Sequence, residues 1–140
     1  MTDQPVVTSL TWKDCLARQR QLPGWVPSWI GFRYRWNDAM AWVSQELEAR
    51  HLAGWSPRSE IHSVICRIAE IECGWEHGCF EPQDDLRVAF WAYQDGLDTE
   101  FAFNAIESHW GIVLSPSLRE KAIRGSIESF IEIIQSLERV

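Results

Sequence analysis

Asp95-Gly96-Leu97-Asp98-Thr99-Glu100-Phe101-Ala102-Phe103-Asn104-Ala105-Ile106-Glu107-Ser108-His109-Trp110-Gly111-Ile112-Val113-Leu114 reads as one amphipathic helix with a start and a stop. Asp98 is a side chain that caps the free N–H groups of a first turn, and Gly111 is the residue that closes a helix in a left-handed turn. Between them Phe101, Ala105, Ile106 and Trp110 recur at helical spacing and predict one buried stripe.

The same signals continue downstream. Ile112-Val113-Leu114 leads into Ser115-Pro116, and after a short turn Ser126 caps a last helix carrying Ile127, Phe130, Ile131, Ile134 and Leu137. Upstream, Leu86 to Tyr93 is almost continuously apolar, so period alone does not separate helix from buried strand. Residues 74–85 are rich in breakers and read as a loop. Before them, Ser56 as cap, Pro57 at the first helical position and Ile61, Val64, Ile65, Ile68 and Ile71 predict a helix ending at Gly74.

The first third is less regular. Thr11, with Asp14 three residues on, predicts a short helix that lasts until Leu22-Pro23-Gly24. Gly24 to Gly31 should be irregular. Ile30, Phe32, Tyr34 and Trp36 alternate at strand period, which predicts a short strand or an extended connector over 29–36. From Asn37 a helix should run to about Leu52, with Trp42, Val43, Leu47 and Leu52 inward and Gly54 just past its end. The expected fold is mainly α, a small helical bundle.

The 140 residues, 46% hydrophobic and 24% charged, suffice for one domain with a core. A net charge of −7 disfavours duplex nucleic acid as partner. Residues 1–56 carry six basic and five acidic side chains, while 57–140 carry seven and fifteen. The whole excess lies in 58–107, with three basic and eleven acidic groups, so a change of module near Ser56-Pro57 is expected. No apolar run is long enough for a membrane span, and the first ten residues have no secretory pattern. A cytoplasmic location is the expectation. The sequence leaves oligomeric state open.

His62, Cys66, Cys73, His77 and Cys79 supply zinc-type ligands within one stretch. They lack the Cys-x2-Cys spacing of a zinc knuckle, and Cys66 falls among apolar helix positions, so no metal site is expected there. Nine tryptophans is a high count, and six (Trp12, Trp25, Trp29, Trp36, Trp42 and Trp55) precede position 56. Core filling is the favoured role, since this third has few aliphatics. An exposed patch of Trp25, Trp29 and Trp36 would instead mark a small regulatory or immunity-type binding protein.

Leu97-Asp98, Ile106-Glu107, Trp110-Gly111-Ile112 and Leu114 resemble the second helix of acyl carrier proteins and its following turn. Asp84-Asp85-Leu86 is similar to the loop before it, Ile61 to Ile71 to the first helix, and Glu120-Lys121-Ala122-Ile123 with the helix from Ile127 to the third and last. The resemblance covers residues 57–140 and implies a carrier-protein-like four-helix part, with 1–56 as a Trp-rich helical extension packed on the core, or one single domain over 1–140. Three departures accompany it. The prosthetic-group serine falls on Gly96, which has no hydroxyl oxygen to bond phosphopantetheine, so no cofactor is expected. The gap between Asp85-Leu86 and Asp95-Gly96 is longer than the family's. Glu100 and Asn104 stand where the family places apolar side chains.

The functional expectation is a non-catalytic interaction module. Its acidic face would comprise Asp84, Asp85, Asp95, Asp98, Glu100 and Glu107 and meet a protein partner with a basic patch. An enzyme or metal protein built on the His/Cys cluster is the remaining alternative. The chain has no phosphate loop, nucleophile elbow or His-Glu-x-x-His run.

Overall fold

The computed structural model describes residues 8–19, 23–91 and 97–138, without the side chains of 28–34. Within these residues the protein is a mainly helical bundle of seven helices: α1 (Trp12–Ala17), α2 (Ser28–Leu52), α3 (Glu60–Cys73), α4 (Leu86–Ala89), α5 (Leu97–Trp110), α6 (Pro116–Ile123) and α7 (Ile127–Glu138). The β pairing seen is one isolated antiparallel bridge between Asp85 and Ser126. No helix among the described residues is long and apolar enough to cross a membrane.

Side-chain caps set several of the starts. Thr11 Oγ1 accepts from the Asp14 N–H at 3.1 Å, Ser115 Oγ from Leu118 at 3.3 Å, and Ser126 Oγ from Ser129 at 3.2 Å. Gly74 and Gly111 close α3 and the α5 turn at φ +77° and +63°, a region other residues enter only under strain.

Several expectations are corrected. The proposed strand or connector at 29–36 is helix: α2 starts after Pro27 and runs 25 residues without a break. Its buried side chains, Trp36, Ala39, Val43, Leu47 and Arg50, are spaced three and four apart. Trp36 thus belongs to a helical stripe, and the alternation before it has no partner strand to pair with. Leu52, expected inward, is exposed, and so is Ile71 at the end of the α3 period. α1 ends at Ala17, well short of Leu22. α3 starts at Glu60 with Ser59 as its cap, its Oγ 3.2 Å from the His62 nitrogen, so Ser56 and Pro57 precede the helix. The apolar run from Leu86 becomes one short helix followed by Trp91 at φ +45°. α5 begins one residue before Asp98 and buries Thr99, Ala102, Phe103 and Ile106; of the expected stripe Ile106 is buried, Ala105 and Trp110 are half-buried against the core, and Phe101 alone is exposed.

One aromatic core explains the last correction. Phe103 meets Phe90 at 5.4 Å and Phe130 at 5.8 Å between ring centroids, which pins α5 to α7 and turns Phe101 outward. Trp91 joins this side to the N-terminal helices, with its ring 5.6 Å from Trp12, 5.9 Å from Trp36 and 5.5 Å from Trp75. Trp12, Trp36, Trp75 and Trp91 are thus buried in the core, and Trp42, Trp55 and Trp110 pack against it half-buried. Trp25 is the exception, exposed just before α2.

Candidate functional site

The loop from Cys79 to Asp85 gathers most of the buried charge. Asp84 is fully buried and accepts four hydrogen bonds: from the Leu10 N–H at 2.8 Å, the Glu81 N–H at 2.7 Å, and Arg50 Nη1 and Nη2 at 2.6 and 3.3 Å. Arg50 also donates to the carbonyls of Cys79 and Thr8, at 3.0 and 2.7 Å. Asp85 accepts from the Trp12 N–H at 2.8 Å and donates its own to the Leu10 carbonyl. Glu81, almost buried, takes the Trp55 indole N–H at 2.7 Å and Arg58 at 3.3 Å.

His62 lies beside this network, fully buried. Arg58 donates its backbone N–H to Nδ1 at 2.9 Å, so the ring proton sits on Nε2 and is donated to the Phe80 carbonyl at 2.6 Å. Burial, which disfavours the imidazolium, holds its pKa below the ordinary 6.5. Every lone pair and proton of this ring is occupied within the fold.

The acidic face expected from the sequence is therefore smaller than six residues. Asp84 is removed from it, because its carboxylate faces inward onto Arg50. Asp85 is half-buried and engaged by the N-terminal segment. Asp95, like the degenerate position Gly96, lies outside the described residues. Asp98, Glu100 and Glu107 remain on α5, where helical geometry sets Glu100 and Glu107 on one side and Asp98 nearly opposite. Here Arg119 reaches across from α6, with Nη1 2.7 Å from Glu100, and Nη2 3.0 Å from Asn104 and 2.9 Å from Glu107. Glu107 also accepts the Leu114 N–H at 2.6 Å. The polar Glu100 and Asn104, departures in the sequence, are thus the ligands of one guanidinium. Beside them Leu97 and Phe101 stand one turn apart, 67% and 50% exposed.

The His/Cys cluster does not converge. His62 and Cys66 approach the same Phe80 carbonyl, while Cys73 Sγ lies 4.0 Å from the Asp98 carbonyl. His77 stacks on His51 instead. No three His, Cys, Asp or Glu side chains among the described residues come close enough to hold a metal ion. Burial pushes the Cys15, Cys66 and Cys73 thiols up to about 12, and Cys79 upward too, so all four are protonated near neutrality. Of the tryptophan patch, Trp25 is exposed, Trp36 is buried in the core, and the Trp29 side chain lies outside the described residues.

Two residues that matter here were missed from sequence, Arg50 and Arg119. Arg50 carried a signal: it continues the stripe Trp36, Ala39, Val43, Leu47, and a charge on a buried face needs a buried partner. Arg119 carried none, since its partners lie on another helix. No family model, no curated protein and no solved structure matches the chain.

Proposed function

We propose that the chain is a carrier-like, non-catalytic protein-interaction module that meets a basic partner surface through the outward side of α5. The observation that carries this reading is the exposed pair Leu97 and Phe101, one turn apart on a helix that also bears Asp98, Glu100 and Glu107. Exposed apolar side chains with a charged surround are the makeup of a docking surface: the apolar pair supplies burial and the charges supply orientation and rate. The order α3, α5, α6, α7, with α5 packed on α7 through Phe103 and Phe130, accords with the resemblance to acyl carrier proteins. Gly96 supplies no oxygen for a phosphopantetheine ester, so the role is docking without a carried group. A cytoplasmic location accompanies this reading.

A phosphopantetheinyl transferase serves as the test partner, because carrier proteins dock on it through the corresponding helix. The 15N-labelled protein is titrated with the enzyme at low and at high salt, and the intact chain is weighed after incubation with coenzyme A. The expected outcome is shifts centred on residues 97–108 that weaken with salt, without a mass gain. A mass gain would overturn the loss of loading, and an unperturbed α5 would overturn the docking face.

A further inference from the structure

Cys66 and Cys79 come from different elements and line one cleft of about 230 Å3, together with Trp55, Ser63 and Glu70. Cys66 belongs to the buried stripe of α3, with His62, Ile65 and Ala69. Cys79 stands in the loop after that helix, and both are free thiols. The loop backbone is pressed onto the turn of α3 that carries Cys66. A Cβ at Gly78 would collide with the Cys66 carbonyl oxygen, so only glycine allows this approach. Glu70, one turn after Cys66, accepts the Gly78 N–H at 2.8 Å and holds the loop there. On the far side of Cys79, the Phe80 carbonyl accepts the Cys66 thiol at 3.6 Å. Cys79 is thus flanked on both sides by residues in contact with Cys66, and a charge on Cys79 is felt at Cys66. The other two thiols lie apart: Cys15 is on α1, and Cys73 turns to the Asp98 carbonyl.

We propose that Cys66 and Cys79 form a dithiol site for hydrogen peroxide, which oxidises them to an intramolecular disulfide joining α3 to the 74–85 loop. The cleft gives the site its selectivity. About 230 Å3 admits hydrogen peroxide, a molecule little larger than water, and excludes a bulky oxidant such as glutathione disulfide. The bond would fasten the loop that carries Glu81 and Asp84 to the helix that carries His62.

The surroundings assign the two roles. At Cys79 the Arg50 guanidinium, which donates to the Cys79 carbonyl at 3.0 Å, opposes the upward push of burial, so Cys79 supplies the first thiolate. Its Sγ attacks one peroxide oxygen, the O–O bond breaks, and the departing hydroxide takes the Cys79 proton and leaves as water. The Cys66 Sγ then attacks the sulfenic sulfur so formed. The S–S bond forms, the S–O bond breaks, and the second hydroxide leaves as water with the Cys66 proton. Each sulfur is oxidised by one electron, and the two peroxide oxygens are reduced to two water molecules. Because both thiols are buried and protonated near neutrality, the first step is slow; the second is intramolecular, so the sulfenic acid does not accumulate in the native chain.

The full chain is treated in its folded state with hydrogen peroxide and, separately, with glutathione disulfide, then alkylated and weighed intact and after proteolysis. With peroxide the expected product has lost two hydrogens and joins the peptides of Cys66 and Cys79. A disulfide requires Cα atoms within about 7 Å, so its formation in the folded chain reports that range. Its urea midpoint should rise, because the bond restricts the unfolded chain, and should return with dithiothreitol. Glutathione disulfide should act roughly tenfold more slowly or less. The cross-link should survive joint replacement Cys15→Ser and Cys73→Ser. In Cys66→Ser a sulfenic acid should collect at Cys79, read as a dimedone adduct, whereas Cys79→Ser should leave Cys66 unmodified over the same time. Free thiols persisting at both positions, a bond that includes Cys15 or Cys73, equal rates with the two oxidants, or a lowered urea midpoint in the cross-linked chain would each overturn the proposal. The result is independent of whether α5 docks a partner.

Discussion

Asp84 and Arg50 show how a single buried pair can join distant stretches of chain. The carboxylate collects donors from Leu10, Arg50 and Glu81, and the guanidinium spans Thr8 to Cys79, so three segments meet at one salt bridge. Removing one partner strands the other charge inside. Asp84→Ala is therefore expected to cost about 3–5 kcal/mol, read as a lower urea midpoint, and Arg50→Ala a similar amount. The double variant should lose much less than the sum, because neither charge is then left alone. His62 gives the pH dependence at this scale. Its folded-state pKa lies below the 6.5 of the unfolded chain, so as pH falls the unfolded chain takes up the proton first. The stability contributed by neutral His62 is complete above about pH 6.5 and is lost between there and the lowered value. Urea midpoints between about pH 7.5 and pH 5.5 should fall steeply for the native chain and less steeply for His62→Gln, which starts weaker; equal slopes would show that the ring is not the proton acceptor.

At the scale of elements, cap chemistry decides where α3 begins. The sequence places that start at Ser56-Pro57, whereas the hydrogen bond from the His62 nitrogen falls on Ser59. Ser59→Ala should then cost about 1 kcal/mol in thermal or urea unfolding, and Ser56→Ala less than about 0.5 kcal/mol. The reverse order would restore the earlier helix start. This contrast reflects what sequence could specify. Helices α3 and α7 were legible because an apolar period at helical spacing, closed by Gly74 in one and opened by Ser126 in the other, acts through local hydrogen bonds and backbone angles, whereas α6 was expected only through the resemblance carried by Glu120 to Ile123. The start of α2 was not, since Ile30, Phe32, Tyr34 and Trp36 satisfy a period of two as well as belonging to a long helix, and only the burial of Trp36 with Ala39 and Val43 chooses. On α5, Phe101 and Phe103 compete for the inward position, and the decision is made by Phe90 and Phe130 from elsewhere in the chain. The site was read in part for the same reason. Acidic residues are visible in sequence, whereas their pairing with Arg50 and Arg119 depends on contacts between separate elements.

For the molecule as a whole, the change of charge and composition near residue 56 does not coincide with a break in packing. Leu10, Trp12, Cys15, Trp36, Val43 and Leu47 share one core with Phe80, Trp91 and Phe103, and Arg50 closes that core from the N-terminal side. Trp91 touches Trp12 and Trp36 on one side and Trp75 on another, so a cut at residue 56 removes two of its aromatic neighbours and uncovers an indole that is 2% exposed in the whole chain. The same cut removes Arg50 and leaves Asp84, otherwise fully buried, without its ion-pair partner. Residues 57–140 alone, though of carrier-domain length, should therefore keep helical far-UV dichroism but lose the near-UV tryptophan signal, bind a hydrophobic dye and unfold without a sharp transition. Asp84→Asn in that fragment, which removes the stranded charge while keeping its shape, should recover part of the lost cooperativity. A fragment that unfolds as sharply as the whole chain would instead mean that the first 56 residues rest on a finished domain, and that the aromatic contacts across the seam add little to its stability.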